Sequence, residues 1–224
     1  ALIKTFAYGE RSLETRLLIH KADGWQAYPY VWNDDQSEAA YTPVGTRIEI
    51  SADWGPADFT YAVPNKNQCK TCHQAGGAFL PIGPKARNLN HVGPGGVNQI
   101  DDWAERGFLA GVPDDVPAVA SVQDTSASLD ARARAYLDIN CAHCHKASGS
   151  ASNSGLWLDW QIDDPVKIGM HKHPTAAGRG AGRFIYVIEP GDPDASILTY
   201  RMASSEAGVA MPELGRALID AAGV

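Results

Sequence analysis

Apolar positions in the first 64 residues come in short runs, rich in aromatic and β-branched side chains and cut by Asp, Gly and Pro. The run Arg16–His20 is followed by the turn-forming Ala22-Asp23-Gly24, and Trp25–Trp32, Thr46–Ile50 and Phe59–Val63 continue in the same style. Runs of this length and composition predict strands. The pattern then changes. An irregular stretch rich in Gly, Pro and Asn, residues 76–96, precedes Ile100, Trp103, Ala104 and Phe108, whose spacing predicts one face of a short helix. Gly111-Val112-Pro113 ends it, and residues 112–128 read as a linker. Ser128 is placed to cap a second helix carrying Leu129, Ala133, Tyr136 and Leu137 on one stripe and running into Cys141. Further on, Leu156–Trp160 looks strand-like, as does the run Phe184–Ile188. Asp194 is placed to cap a short helix with Ile197, Leu198 and Met202, and Met211-Pro212 opens a last helix with Leu214, Leu218 and Ala222 on one stripe. The expected fold class is mainly α, with a small β-rich subdomain at residues 1–64.

Composition narrows the classes open to such a chain. Its 224 residues are 44% hydrophobic with 6 Trp, 8 Tyr and 5 Phe, enough to bury cores and to exclude disorder as the dominant state. No stretch approaches the ~18 unbroken apolar residues of a spanning helix, so none is expected. Nineteen Lys and Arg against 26 Asp and Glu give a net charge of -7 without a basic cluster, which argues against nucleic-acid binding. Ala1 is no initiator and no signal peptide precedes it, while Leu218–Val224 breaks off in mid-helical pattern. These ends read as those of an excised or processed chain, with any export signal removed.

All four cysteines fall in two identical frames, Cys69-Lys70-Thr71-Cys72-His73 and Cys141-Ala142-His143-Cys144-His145. Two thiols three positions apart, followed at once by histidine, form the attachment signature of haem c. The spacing suits the chemistry: the thiols add across the two vinyl groups of one porphyrin, and the next residue offers its imidazole to the iron. A zinc ribbon would separate its pairs by about 15–20 residues, whereas 68 separate Cys72 from Cys141. A thioredoxin-like pair would need a βαβ context, and none surrounds either motif. Two covalent haem c groups are therefore expected, on Cys69, Cys72 and His73 and on Cys141, Cys144 and His145. Attachment outside the cytoplasmic membrane in bacteria then implies a periplasmic or extracellular location.

The sixth ligands are less evenly marked. Only Met170, Met202 and Met211 exist, and Met211, ahead of the expected last helix, is the candidate for the second iron, with Met202 packing at the haem edge. The first iron has no local methionine. His20, His91, Met170, His171 and His173 are its candidates, and a five-coordinate iron is the further alternative. His143, at an inner position of its motif, reads as a solvent-facing bystander. Arg179, Arg183 and Arg201 are candidates for propionate partners.

Several segments resemble bacterial periplasmic di-haem c-type cytochromes: Glu14–Leu18, Gly24-Trp25 to Trp32-Asn33, Val63–Asn65, Gly83–Asn90, Pro190–Ser196, and Arg201-Met202 to Met211-Pro212. The second module is similar to class I cytochrome c, which implies His145 and Met211 as its axial pair. The implied organisation is a β-rich part at 1–64, a first haem module at 65–125 and a second, cytochrome c-like one at 126–224. The implied role is electron transfer, as a carrier rather than an enzyme, between a donor such as a dehydrogenase and a copper or haem acceptor. Relatives beside carbohydrate-active proteins and sugar dehydrogenases suggest such partners only by analogy. The competing expectation is a di-haem peroxidase with one five-coordinate haem, in which His20 or His91 with Arg87 would supply the distal groups.

Overall fold

The structure, a computed structural model, describes residues 1–93 and 95–223. Pro94, in the stretch read as irregular, and Val224, at the end of the expected second module, lie outside the described residues. Six strands come first: β1 (Leu2–Tyr8), β2 (Arg11–Lys21), β3 (Gly24–Trp32), β4 (Ala39–Tyr41), β5 (Thr46–Ile50) and β6 (Phe59–Val63). Strands β1 to β4 pair in sequence order as an antiparallel meander, and β5 and β6 form a separate hairpin. Helix α1 (Cys69–His73) leads into a two-stranded hairpin, β7 (Gln74–Ala75) and β8 (Ala78–Phe79). After it come α2 (Ala86–Leu89), α3 (Gln99–Glu105), α4 (Leu129–Asn140), α5 (Pro165–Ile168) and α6 (Ile197–Met202).

The expectation of a mainly α fold with two cytochrome c-like modules is overturned. Helix accounts for 22% of the chain and strand for 23%, in antiparallel sheets. The physical reason is punctuation: 22 glycines and 14 prolines break the apolar runs before helices can lengthen. The last helix shows this directly. Gly215 sits within the expected span at φ +77, and the segment from Met211 onward turns and bends instead of winding. Arg216 then donates to the Met202 and Ser204 carbonyls, and Tyr136 on α4 donates to Asp220 at 3.0 Å, so side chains fasten what backbone bonds do not.

Other expectations need smaller corrections. Helix α3 stops at Glu105 before Gly107 at φ +72, leaving Phe108 outside its face and 70% exposed. Ser128 does cap α4, accepting from the Ala131 N–H at 3.2 Å. The buried face of α4, however, is Ala135, Leu137 and Asp138, while Leu129 is exposed. Asp192 caps a turn before α6 by accepting from the Ala195 N–H at 3.1 Å, the role expected of Asp194. Leu156–Trp160 forms no strand. Its Leu156 and Leu158 instead pack with Leu137, Ala142, Ile168 and Val187 in one core cluster. The backbone there is held by Trp157 N–H to Lys167 O at 2.8 Å and Leu158 N–H to His145 O at 2.9 Å.

Two buried carboxylates tie distant segments together. Glu14 on β2 accepts from Arg16 and, at 2.5 Å, from the Tyr61 hydroxyl of β6, joining the meander to the second hairpin. Asp138 on α4 accepts from Lys85 Nζ at 2.9 Å, from Arg87 Nη2 at 2.7 Å and Nε at 3.1 Å, and from the Trp160 N–H at 3.1 Å. Burial alone would raise the Asp138 pKa; the bonds from Arg87, Lys85 and Trp160 outweigh it and hold the carboxyl below its ordinary value. The residues just past the first motif are thereby fixed to the helix that carries the second. Among the described residues, no helix is long and apolar enough to cross a membrane.

Candidate haem attachment sites

The first motif is one helical turn, α1, with Cys69 buried at its start. The hairpin after it sets its histidine. Gly76 and Gly77 have φ +58 and +83, the conformation of a two-residue hairpin turn that side chains resist and glycine accepts. The turn folds β8 back on β7 and lays Phe79 over the His73 ring, with centroids 5.2 Å apart and planes at 18°. It also brings the Leu80 carbonyl to His73 Nδ1 at 3.0 Å. A carbonyl can only accept, so Nδ1 carries the proton and Nε2 keeps its lone pair.

In the second motif α4 delivers the cysteines, the Cys141 N–H still bonding back to Leu137 O at 2.9 Å. His145 Nδ1 lies 3.2 Å from Ser154 Oγ. The serine hydroxyl already donates to Ala151 O at 2.7 Å, so it accepts from His145, and again Nε2 is left free. Burial lowers the pKa of both histidines, keeping them neutral, as a metal ligand must be. Engagement of the other ring nitrogen is the usual way a ligating imidazole is oriented.

Cys141, Cys144 and His145 line a cavity of about 400 Å³, within the range of small-molecule and cofactor sites. Met211 and Met202 line it too, with Leu156, Leu158 and Leu198 among its apolar walls and Arg201 and Arg216 at its edge. The cavity gathers Met211 with His145, the pair expected to flank one iron. Arg201, one of the three expected propionate partners, belongs to the cavity; Arg179 pairs with Glu206 at 3.1 Å, and Arg183 lies over Phe184. Arg216 was not expected there, and Gly215 beside it was the available sign that the chain would turn rather than continue a helix.

The candidates for the first iron are not drawn into this cavity. His20 packs on Trp25, Met170 bridges to Ile188, and His171 and His173 pack against Tyr186. His91 is exposed, and Arg87 is engaged by Asp138.

The two motifs meet. Cys72 Sγ, Cys144 Sγ and a ring nitrogen of His143 all lie within 4.8 Å of one another. Ser150 Oγ donates to Thr71 O at 2.8 Å, and the Gly76 N–H to Ser148 O at 3.3 Å, across the same junction. His143 is thus no solvent-facing bystander: its Nδ1 is buried without a hydrogen-bond partner. Sequence spacing could not show this, since it depends on a contact between residues 72 positions apart. The closeness of Cys72, with His143 and Ser150, lowers the Cys144 thiol despite its burial. The closeness of Cys144, with burial, raises Cys72, and burial pushes Cys141 up to about 12. All four cysteines are free of disulfides.

At the second motif the donors and the cavity are of a kind that suits haem c, with two unbridged thiols one turn apart beside an imidazole whose Nδ1 is engaged; the first motif offers the same donors without lining that cavity. No family model matches the chain, nor does any curated protein or solved structure with which it was compared.

Proposed function

We propose that the chain is an electron-transfer protein of the di-haem c type, holding one haem on Cys69, Cys72 and His73 and a second on Cys141, Cys144 and His145. The observation that carries the reading is the gathering of Cys141, Cys144, His145 and Met211 around one cavity. Cys69 and Cys72, and Cys141 and Cys144, would hold the two groups through thioether bonds to the vinyl carbons, each thiol hydrogen passing to the adjacent carbon. When bound, haem supplies an iron that passes between ferric and ferrous. His73 and His145 offer Nε2 to the metal, held in that tautomer by Leu80 O and Ser154 Oγ. Met211 offers a sulfur ligand, which raises the potential, and the apolar cavity wall excludes water and acts in the same direction. Arg201, whose Nε is bonded to Val209 O, and Arg216, bonded to the Met202 and Ser204 carbonyls, bring positive charge to the cavity that would receive the propionates.

The role in this reading is that of a carrier, working in the bacterial periplasm or outside the cell between a redox donor and a copper or haem acceptor. A net charge of -7 favours a partner with a basic patch and rates that fall with salt. A second reading rests on the junction itself: Cys72, His143 and Cys144 are close enough to share one soft metal ion such as zinc. Production in a bacterial periplasm with haem c maturation, followed by peptide mass analysis and metal analysis, separates the two. Haem on both motif peptides supports the carrier; bare peptides with about one zinc per chain support the second reading and overturn the first. Carbon monoxide added to the reduced protein then tells a stably ligated pair from an open iron, for which peroxide turnover would be the next assay.

A further inference from the structure

The outer face of the meander carries a side-chain cluster that the haem reading does not use. Side chains alternate along a strand, so Tyr28 and Tyr30 on β3 stand on one side of the sheet, with Tyr41 of β4 paired opposite Tyr30. Glu14, buried against β6, belongs to the other side, opposite Val31. The three rings touch: Tyr41 lies 5.9 Å from Tyr28 and 5.6 Å from Tyr30, centre to centre, and is itself 45% exposed. Two ammonium groups flank Tyr28, Lys21 Nζ at 4.9 Å and Lys66 Nζ at 5.3 Å from its ring centre. Lys66 comes from the segment after β6 and is held there by its N–H bond to Pro43 O at 2.9 Å. The Tyr28 hydroxyl donates to Gln26 Oε1 at 2.7 Å, and Gln26 Nε2 donates to Asp23 at 2.8 Å, which fixes the ring. Both lysines are exposed, and among the described residues neither forms an ion pair, although the chain carries a net charge of -7.

We propose that this face binds an acidic polysaccharide, a chain of pyranose rings bearing carboxylates, with Tyr41 as the stacking platform and Lys21 and Lys66 as the carboxylate partners. A pyranose presents C–H bonds over its flat face and hydroxyls around its edge. Those hydrogens carry partial positive charge and settle on the electron-rich face of an aromatic ring, where dispersion adds to the attraction. The exposed Tyr41 ring offers that face. The Tyr28 ring holds both ammonium groups at one side of the platform, so the cations are in place before a ligand arrives. A neutral glycan would leave the two lysines unanswered, and an aliphatic partner would cover them with carbon. A nucleic acid would bring a phosphate on every residue to a surface of an acidic chain with only this pair of cations to meet them. Nothing in this site depends on haem, so binding here stands or falls separately from the proposed function.

The test is affinity electrophoresis of the full chain through native gels containing polygalacturonate, dextran, polyphosphate or single-stranded DNA. Polygalacturonate is expected to retard the protein, the neutral dextran to leave it unaffected, and polyphosphate and DNA to retard it far less. Rising salt should weaken the retardation without exchanging the order of the polymers. Tyr41→Ala is expected to abolish it. Lys21→Gln combined with Lys66→Gln should weaken binding about tenfold; both side chains are exposed, so this variant keeps its fold, which far-ultraviolet circular dichroism checks. Equal mobility in every gel would overturn the proposal. So would retardation by dextran to the same degree, which would leave the lysines without a role, or by polyphosphate, which would reduce the effect to charge without stacking. DNA bound as tightly as polygalacturonate would assign the face to nucleic acid instead. Polygalacturonate binding that neither variant alters would place its site elsewhere on the chain.

Discussion

Asp138 is the residue whose removal tests the architecture most sharply. Its carboxylate is fully buried and accepts from Lys85, from both arms of Arg87 and from the Trp160 backbone. Asp138→Ala would remove every one of those acceptors and leave two cations and a backbone N–H facing a gap. Breaking one partner out of a buried ion pair costs about 3–5 kcal/mol. Here the Lys85 and Arg87 side chains retain 23% and 14% of their exposure, so water can partly recover them. The lower end, about 3 kcal/mol, is therefore expected. For a chain of this length that corresponds to a fall in Tm of roughly 6–12 °C, followed by far-ultraviolet circular dichroism on the haem-loaded protein. Arg87→Met in the same background should cost less than in the wild type, with a coupling of about 1–2 kcal/mol. A loss under about 1 kcal/mol for Asp138→Ala, or strict additivity with Arg87→Met, would refute the reasoning.

The same carboxylate predicts a pH dependence. Its pKa is lowered in the folded chain, because the bonds from Arg87, Lys85 and Trp160 outweigh desolvation. Its contribution is therefore present above the unfolded carboxyl pKa of about 4 and lost as pH falls through the lower folded value; Asp138→Asn should flatten the acid limb of a Tm-against-pH curve, and an unaltered limb would contradict this. Gly149→Ala would press a Cβ onto the Cys144 carbonyl. A cost of about 2–3 kcal/mol is expected, with less haem attached to the second motif peptide than to the first in quantitative peptide mapping. Tyr61→Phe removes the hydroxyl that donates to the buried Glu14, and should lower stability by about 1.5–3 kcal/mol in urea unfolding while haem content stays unchanged. Met211→Ala should keep two haems but abolish the sulfur-to-iron absorption of the ferric protein and open the second ferrous iron to carbon monoxide; an unchanged spectrum would remove Met211 as ligand.

What could be read from the chain alone divides along physical lines. The strand runs at 25–32, 46–50 and 59–63 coincide with β3, β5 and β6, because turn residues delimit them on both sides. The cap at Ser128 was legible for the same local reason. Helix content was not, since spacing at 214, 218 and 222 matched a stripe while Gly215 between them broke the backbone. Leu156 and Leu158 looked like a strand because they alternate with Trp157, yet they pack into a core without any strand partner. The six residues proposed to hold the haems stand in a repeated frame that the chain alone shows. The closeness of the two frames was not, for it depends on a contact across 72 positions and on Lys85 and Arg87 finding Asp138. The hairpin that sets His73 could have been found: Gly76-Gly77 is a strong turn signal that was absorbed into a longer irregular stretch.

The proposed function requires two covalent haems, one on each Cys-x-x-Cys-His frame. The most direct measurement is the intact mass of protein matured in a bacterial periplasm, taken under denaturing conditions beside a pyridine haemochrome count. A mass increased by two haems and a haemochrome count of two per chain are expected. An unmodified polypeptide mass from cells that mature a control c-type cytochrome normally would contradict the claim.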